Sequence, residues 1–237
     1  MALHVIFLEH APGTDETLHV CGDEAHHALR VRRLGVGDRL GLRDGMGLVG
    51  VGTIIGSEKR GGEWTMQVRV EESRREPPVR PALHVLAAPP KGERLAEMID
   101  GLSQVGAASW GPLRTARTVV DPREGKLERL GRVARESLKQ CGRAWTLAIT
   151  PGAGVDALPA RGVVVADGSG EPYSPCGDDD VTLLIGPEGG LTPEELAGLR
   201  GAGARVASFG RHVLRTEVAA VVAAGIIMHQ ERGAGAS

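Results

Sequence analysis

Fifteen residues constrain the chain more than any others: V-T-L-L-I-G-P-E-G-G-L-T-P-E-E, Val181 to Glu195. A β-leaning apolar run meets Gly-Pro-Glu-Gly-Gly, and a helix start follows at once. Thr192 is an N-cap, Pro193 suits the first helical position, and Glu195 completes a capping box. The chain therefore leaves a buried strand, makes a tight glycine-lined turn and re-enters regular structure without slack. Such a turn exposes backbone N–H and C=O groups to close approach by a small ligand, or else simply joins strand to helix. About twenty residues later comes a second unusual loop, Ser208-Phe209-Gly210-Arg211-His212-Val213-Leu214-Arg215-Thr216-Glu217. An apolar run, Val218 to Met228, follows it.

Composition frames these loops. The chain has 237 residues, 41% of them apolar, enough for one large domain or two modest ones. Aromatics make up 3%, so single-stranded RNA meets no large stacking platform. Net charge is −2 and gives no nucleic-acid signal, but its distribution is uneven. Trp110 to Trp145 holds nine Lys/Arg against four Asp/Glu, whereas Met1 to Glu72 holds eight against eleven. Three cysteines without a CxxC pair indicate neither a disulfide framework nor a zinc site, and the scattered histidines indicate no metal. No leader is apparent and the longest apolar run is too short for a bilayer, so a cytoplasmic setting without membrane contact is expected.

The first third reads as short strands (Val5-Leu8, Arg39-Arg43, Leu48-Ile55, Thr65-Val70) around one short helix in E-A-H-H-A-L-R-V-R-R-L, with Asp44-Gly45 as a hairpin dipeptide. A small barrel over residues 1–73 is the expectation. Residues 74–81, rich in proline and charge, read as a linker. Over 82–237 strands and helices alternate: strands at Leu83-Ala88, Ala108-Leu113, Thr146-Ile149, Gly162-Asp167 and Val181-Ile185, with helices at Glu93-Val105 and Glu124-Cys141. That rhythm predicts an α/β domain with a mostly parallel sheet and ligands beyond the strand C-termini. No complete Gly-x-Gly-x-x-Gly follows a strand, which disfavours a nicotinamide site.

The pairing of I-G-P-E-G-G-L-T with F-G-R-H-V-L-R-T-E-V-A resembles two C-terminal motifs of the SPOUT methyltransferases, above all the bacterial 16S ribosomal RNA uracil-N3 methyltransferase family. Lys91-Gly92-Glu93-Arg94 and Lys139-Gln140-Cys141-Gly142-Arg143 are similar to further motifs of that family, and H-x-L-R-V-R-R-L-G-V-G-D resembles its PUA-like N-terminal domain. Gln104 and Ala116 stand where the family commonly carries acids, so no role is carried over to carboxylates there. The resemblance implies a C-terminal SPOUT-type trefoil-knotted parallel sheet and a small PUA-like β-barrel. It further implies S-adenosyl-L-methionine as cofactor, 16S rRNA of the small ribosomal subunit as substrate, and a homodimer. Cofactor contacts are expected from Leu86, Pro89, Gly168, Ile185, Gly186, Pro187, Glu188, Gly189, Gly190, Ser208, Phe209, Gly210, Val213, Leu214 and Thr216. RNA contacts are expected from Arg30, Arg32, Arg33, Lys91, Arg94, Arg117, Lys139 and Arg143. Arg215 is the expected catalytic cation, unless it is held in an ion pair by Glu217 or Glu188. Glu217 is the expected second catalytic residue, although it and Glu188 could equally cap amides. Two other activities stay open: methylation of another RNA target such as a ribose 2′-OH, and non-catalytic RNA binding in ribosome assembly.

Overall fold

The computed structural model describes residues 3–119, 122, 124–159 and 161–234. These divide into two compact units: one up to Pro78 together with Leu138–Thr146, the other Val79–Ser137 together with the chain from Leu147 onward.

The first unit is built on β1 (Val5–Phe7), β2 (Thr17–Val20), β3 (Arg39–Arg43), β4 (Leu48–Arg60) and β5 (Glu63–Arg75), in the sheet order β1-β3-β4-β5-β2. β1 runs parallel to β3 and the remaining pairs are antiparallel, so the strands expected to make a small barrel form a five-stranded mixed sheet. The ladder between β4 and β5 shifts register twice, and such bulges add local twist. β5 runs through Ser73 and Arg74 to Arg75, so the expected linker begins inside a strand. Ile6, Leu40, Leu42, Ile54, Met66 and Val68 form the core. Asp44 closes the β3–β4 hairpin: its Oδ1 accepts from Met46 N at 2.7 Å and Leu48 N at 3.0 Å. Helix α1 (Gly22–His26) continues into a π-helical turn at His27–Val31.

The second unit holds β6 (Ala82–Ala87), α2 (Arg94–Val105), β7 (Ser109–Arg114), β8 (Ala148–Ile149), β9 (Ala153–Gly154), β10 (Val163–Pro172), β11 (Asp180–Ile185), α4 (Pro193–Gly201), β12 (Arg205–Ser208) and α5 (Thr216–Ala234). Helix α3 (Glu124–Cys141) starts here, and its last residues belong to the first unit. The strand order is β12-β10-β11-β6-β7-β8, with β9 also on β7, and every ladder is parallel. β11, buried from Val181 to Ile185, consequently reads as a near-continuous apolar run, whereas β6 alternates buried and half-buried residues. The Thr192 capping box forms as its sequence demands: Thr192 N donates to Glu195 Oε2 at 2.8 Å and Glu195 N to Thr192 Oγ1 at 3.2 Å.

From the edge strand β12 the chain returns to lay α5 against α2, β6 and β11. Ala220, Ala223, Ala224 and Ile227 are fully buried there. The helices approach closely enough that a Cβ on Gly101 of α2 would lie 2.7 Å from Val221 Cγ2. The opposite side of α5 is not covered: Val218 and Val222 remain 42% and 36% exposed. The apolar run from Val218 to Met228 is therefore buried on one face only within a single chain.

Candidate active site

At the carboxyl ends of β10, β11 and β12 lies a cavity of about 470 Å³, within the range of small-molecule sites. One wall is the first motif loop, Ile185 to Leu191; the other is the second, Ser208 to Leu214 together with Thr216. Gly190 N donates to Pro187 O at 2.8 Å, closing a turn that places Gly190 at φ +69°, a backbone region where glycine carries no steric penalty. Thr216 Oγ1, in the first turn of α5, lies 3.4 Å from Gly186 O and links the two loops.

β10 supplies a third wall. Its register against β12 jumps between Ala166 and Glu171, both paired with Ala207, and the intervening residues bulge. Ala166, Asp167 and Gly168 thereby reach the cavity. Asp167 Oδ1 accepts from Ser169 N at 2.9 Å and stabilises the bulge. The expected strand end at Asp167 is thus a bulge inside a strand that runs on to Pro172. Ala219 and Ala223 of α5 form the floor.

Of the expected cofactor residues, Gly168, Ile185, Gly186, Pro187, Glu188, Gly189, Gly190, Ser208, Phe209, Gly210, Val213, Leu214 and Thr216 all line this cavity; Leu86 and Pro89 do not. Leu86 packs in a core cluster with Leu113 and Leu184, and Pro89 is buried. Their place at a strand end is right, and Ala88 N even bonds to the lining residue Ile185 O at 2.9 Å, but both side chains are taken up in packing rather than turned to the cavity. Residues not among the expected contacts also line it: Leu191, Arg211 and His212 within the motifs, and Ala166, Asp167, Ala219 and Ala223. The bulge at β10 carries no local signal beyond Asp167-Gly168.

Arg215 stands between the lining residues Leu214 and Thr216, is exposed, and among the described residues makes no side-chain hydrogen bond or ion pair. The alternative of an ion pair with Glu217 or Glu188 is not what the structure shows. Glu217 is only 8% exposed, lies outside the cavity lining, and points Oε1 at Arg94 Nε, 4.0 Å away. Its Oε2 is buried without a hydrogen bond.

Three expected RNA contacts are engaged otherwise. Arg117 Nη1 donates to the carbonyls of Gly189 and, at 3.4 Å, Leu191, so it braces the Gly-Gly turn. Beside it, Ala116 N donates to Glu195 Oε1 at 2.7 Å, so one carboxylate both caps α4 and anchors the 115–117 loop. Lys139 Nζ pairs with Glu24 Oε1 at 2.9 Å in a largely buried contact. Arg143 is half-buried, and desolvation lowers its guanidinium from the usual value. Arg94, facing Glu217, is partly committed as well. By contrast Arg30, Arg32, Arg33 and Lys91 are exposed. Arg30 and Lys59 both sit over Trp64, at 5.6 and 5.7 Å from its ring centroid. Trp64 is the residue here that sequence reading passed over; its signal was a lone aromatic on a strand between basic residues. Among the described residues no group of three His, Cys, Asp or Glu is placed to hold a metal, and no helix is long and apolar enough to cross a membrane.

A mixed-sheet unit followed by a parallel α/β unit whose two motif loops close on one cavity defines an RNA methyltransferase architecture. The profile of the RNA methyltransferase domain matches residues 76–228, and that of the RNA methyltransferase PUA domain matches residues 20–68. The chain belongs to this RNA methyltransferase family. It is 34% identical to the ribosomal RNA small subunit methyltransferase E of Mycobacterium bovis, over 96% of this chain and 92% of that one. Its fold superposes on a Legionella pneumophila protein solved with the cofactor SAM bound, with a TM-score of 0.83 at 24% identity, covering 99% and 98% of the two chains. It likewise superposes on the ribosomal RNA small subunit methyltransferase E of Neisseria gonorrhoeae bound to S-adenosyl methionine, with a TM-score of 0.79 at 20% identity, covering 94% and 96%.

Proposed function

We propose that this protein transfers a methyl group from S-adenosyl-L-methionine to N3 of a uridine in 16S rRNA of the small ribosomal subunit, in the cytoplasm. The observation that carries the reading is the convergence of the two motif loops on a single cavity. That cavity suits the cofactor chemically. Gly186, Gly189, Gly190 and Gly210 offer backbone groups for adenine and ribose, and Ile185, Leu191, Phe209 and Leu214 offer apolar walls. Asp167 and Glu188 supply negative charge for a sulfonium. When bound, the cofactor supplies an electrophilic methyl carbon on a sulfur that leaves as a neutral thioether.

Uracil N3–H must lose its proton as N3 forms the new bond to carbon, and the charge that develops spreads onto the flanking carbonyl oxygens. Arg215, exposed and without an ion pair among the described residues, is the motif cation to which this stabilising role falls, with Arg211 of the same loop lining the cavity. Of the two carboxylates lining the cavity, Asp167 is engaged with Ser169, whereas Glu188 makes no side-chain hydrogen bond among the described residues. Glu188 is therefore the carboxylate available to accept the proton, beside the His212 imidazole that also lines the cavity. Glu217, buried outside the cavity, acts through Arg94 rather than on the substrate.

Arg30, Arg32 and Arg33 with Lys59 and Trp64 form the phosphate-binding patch of the first unit. The uncovered Val218 and Val222, with Leu214 at 37% exposed and Val213 at 100%, form an apolar strip beside the cavity that a second copy covers in a homodimer. The test is incubation with cofactor and either undermethylated 30S particles or naked 16S rRNA, followed by nucleoside mass spectrometry. 3-Methyluridine is expected; a 2′-O-methylated product would refute the substrate assignment.

A further inference from the structure

Behind the cavity lies a polar cluster that the methyl-transfer reading leaves unused. Glu231, near the end of α5, is 7% exposed, and its carboxylate takes four contacts from one short segment. Tyr173 Oη donates to Oε1 at 2.6 Å, Cys176 N to Oε1 at 2.8 Å, Cys176 Sγ to Oε1 at 3.3 Å, and Gly177 N to Oε2 at 3.1 Å. Tyr173 is fixed from other sides too. Arg205 of β12 lies over its ring at 5.6 Å and donates to Ser174 O at 2.6 Å, and Tyr173 N donates to Ser208 O at 3.2 Å. The Tyr173 ring stacks on Phe209, with centroids 5.3 Å apart and planes 23° apart. Phe209 in turn lines the cavity beside Ser208 and Gly210.

We infer that Tyr173, locked by Glu231, is a positioning residue for the methyl-donor pocket: it braces Phe209 so that the wall presented to the cofactor is rigid before binding. The inference rests on the proposed cofactor site. A half-buried phenylalanine on a glycine-flanked loop has room to rotate unless something backs it, and a flexible wall loses affinity to ordering on binding. The backing ring does this through its face. The hydroxyl and the Glu231 carboxylate fix the angle of that face, because a buried carboxylate with four donors has one low-energy orientation. Ser208 O, bonded to Tyr173 N, ties the bracing segment directly to the cavity loop.

Calorimetry with S-adenosylhomocysteine, together with steady-state kinetics on undermethylated 30S particles, tests this in the full chain. Tyr173→Leu removes the brace and is expected to weaken the nucleoside ligand three- to tenfold, the affinity equivalent of about 0.7–1.4 kcal/mol. KM for the cofactor should rise in parallel, with kcat at saturating cofactor and the KM for RNA unchanged. Tyr173→Phe keeps the ring and should recover most of the affinity; Glu231→Gln, which keeps volume but not charge, should fall between. A Tyr173→Leu protein that is folded by circular dichroism and binds like the parent overturns the inference, as does an equal loss in RNA KM and kcat. The two readings are separated by Gly189→Val inside the cavity. If that variant and the parent bind the ligand equally well, the cavity is not the cofactor site. If only Gly189→Val fails, the cavity stands and the brace does not.

Discussion

Arg94 Nε stands 4.0 Å from Glu217 Oε1, which joins the Lys-Gly-Glu-Arg turn before α2 to the Leu-Arg-Thr-Glu motif at the start of α5. The carboxylate is buried, whereas the guanidinium is half exposed. Removing the arginine leaves a buried carboxylate without its ion-pair partner, so Arg94→Ala should lower stability by roughly 1 kcal/mol, a discounted share of a buried pair. Arg94→Ala with Glu217→Gln should recover part of the loss. Denaturant titration of the four proteins in the cycle measures the coupling, and strict additivity would show that the pair is not an interaction.

Arg117 carries a different prediction because its donors go to backbone carbonyls of the Gly-Gly turn. Arg117→Ala should weaken cofactor binding about fivefold, in line with roughly 1 kcal/mol for a charged hydrogen bond to a partly exposed acceptor. The salt dependence of RNA binding should stay as it is. A reduced salt slope with unchanged cofactor affinity would return Arg117 to the phosphate-binding set.

Arg215→Ala should lower kcat on the order of 10²-fold, with little change in cofactor affinity, as for loss of one group that stabilises developing negative charge. Glu188→Gln should also lower kcat. Equal losses in binding and turnover for Arg215→Ala would assign it to binding.

Lys139 and Arg32 make a contrasting pair. Lys139→Ala strands Glu24, whose Oε2 is already without a hydrogen bond, and should destabilise the protein by about 2–3 kcal/mol. Arg32 is exposed, so Arg32→Ala should leave the melting temperature alone and reduce the slope of log K against log salt by about 1. Thermal melts and filter binding at several salt concentrations distinguish them.

Acid should act through Glu231. Burial alone would raise its carboxyl, but hydrogen bonds from Tyr173 Oη and from the Cys176 and Gly177 amides outweigh that and hold it below the usual carboxylate range. With a folded pKa below the unfolded one, its contribution is full above the unfolded value near 4.5 and is lost as pH falls through the depressed folded value. Glu231→Gln should therefore melt lower than the parent at pH 7, with the gap closing below pH ~4. A gap independent of pH would contradict this account.

Much of this was legible in the chain itself. The Thr192 capping box and the full span of α3 follow from local chemistry, because caps and a 3.6-residue stripe need only near neighbours. The two motif loops could be named from their residues, and their convergence came from resemblance to a family, not from spacing. What stayed hidden depends on distant partners. β2, Thr17-Leu18-His19-Val20, alternates polar and apolar residues, but the run is only four residues long, the shortest alternation that reads as a strand. Lys139 looked like a phosphate ligand until a glutamate more than a hundred residues away claimed it. Leu86 and Pro89 were placed correctly at a strand end, but which strand ends surround a cavity depends on sheet order.

Ala219 and Ala223 form the floor of the cavity, and both sit on the helix that travels back from the edge of the sheet to its centre. The walls come from β10, β11 and β12, joined by parallel pairings that close long loops and form slowly. No fragment shorter than the stretch from Ala166 to Ala223 contains every lining residue of the pocket. Competence to hold a methyl donor is thus acquired only when α5 docks. A folding chain captured before that step would carry a complete sheet and still be blind to its ligand.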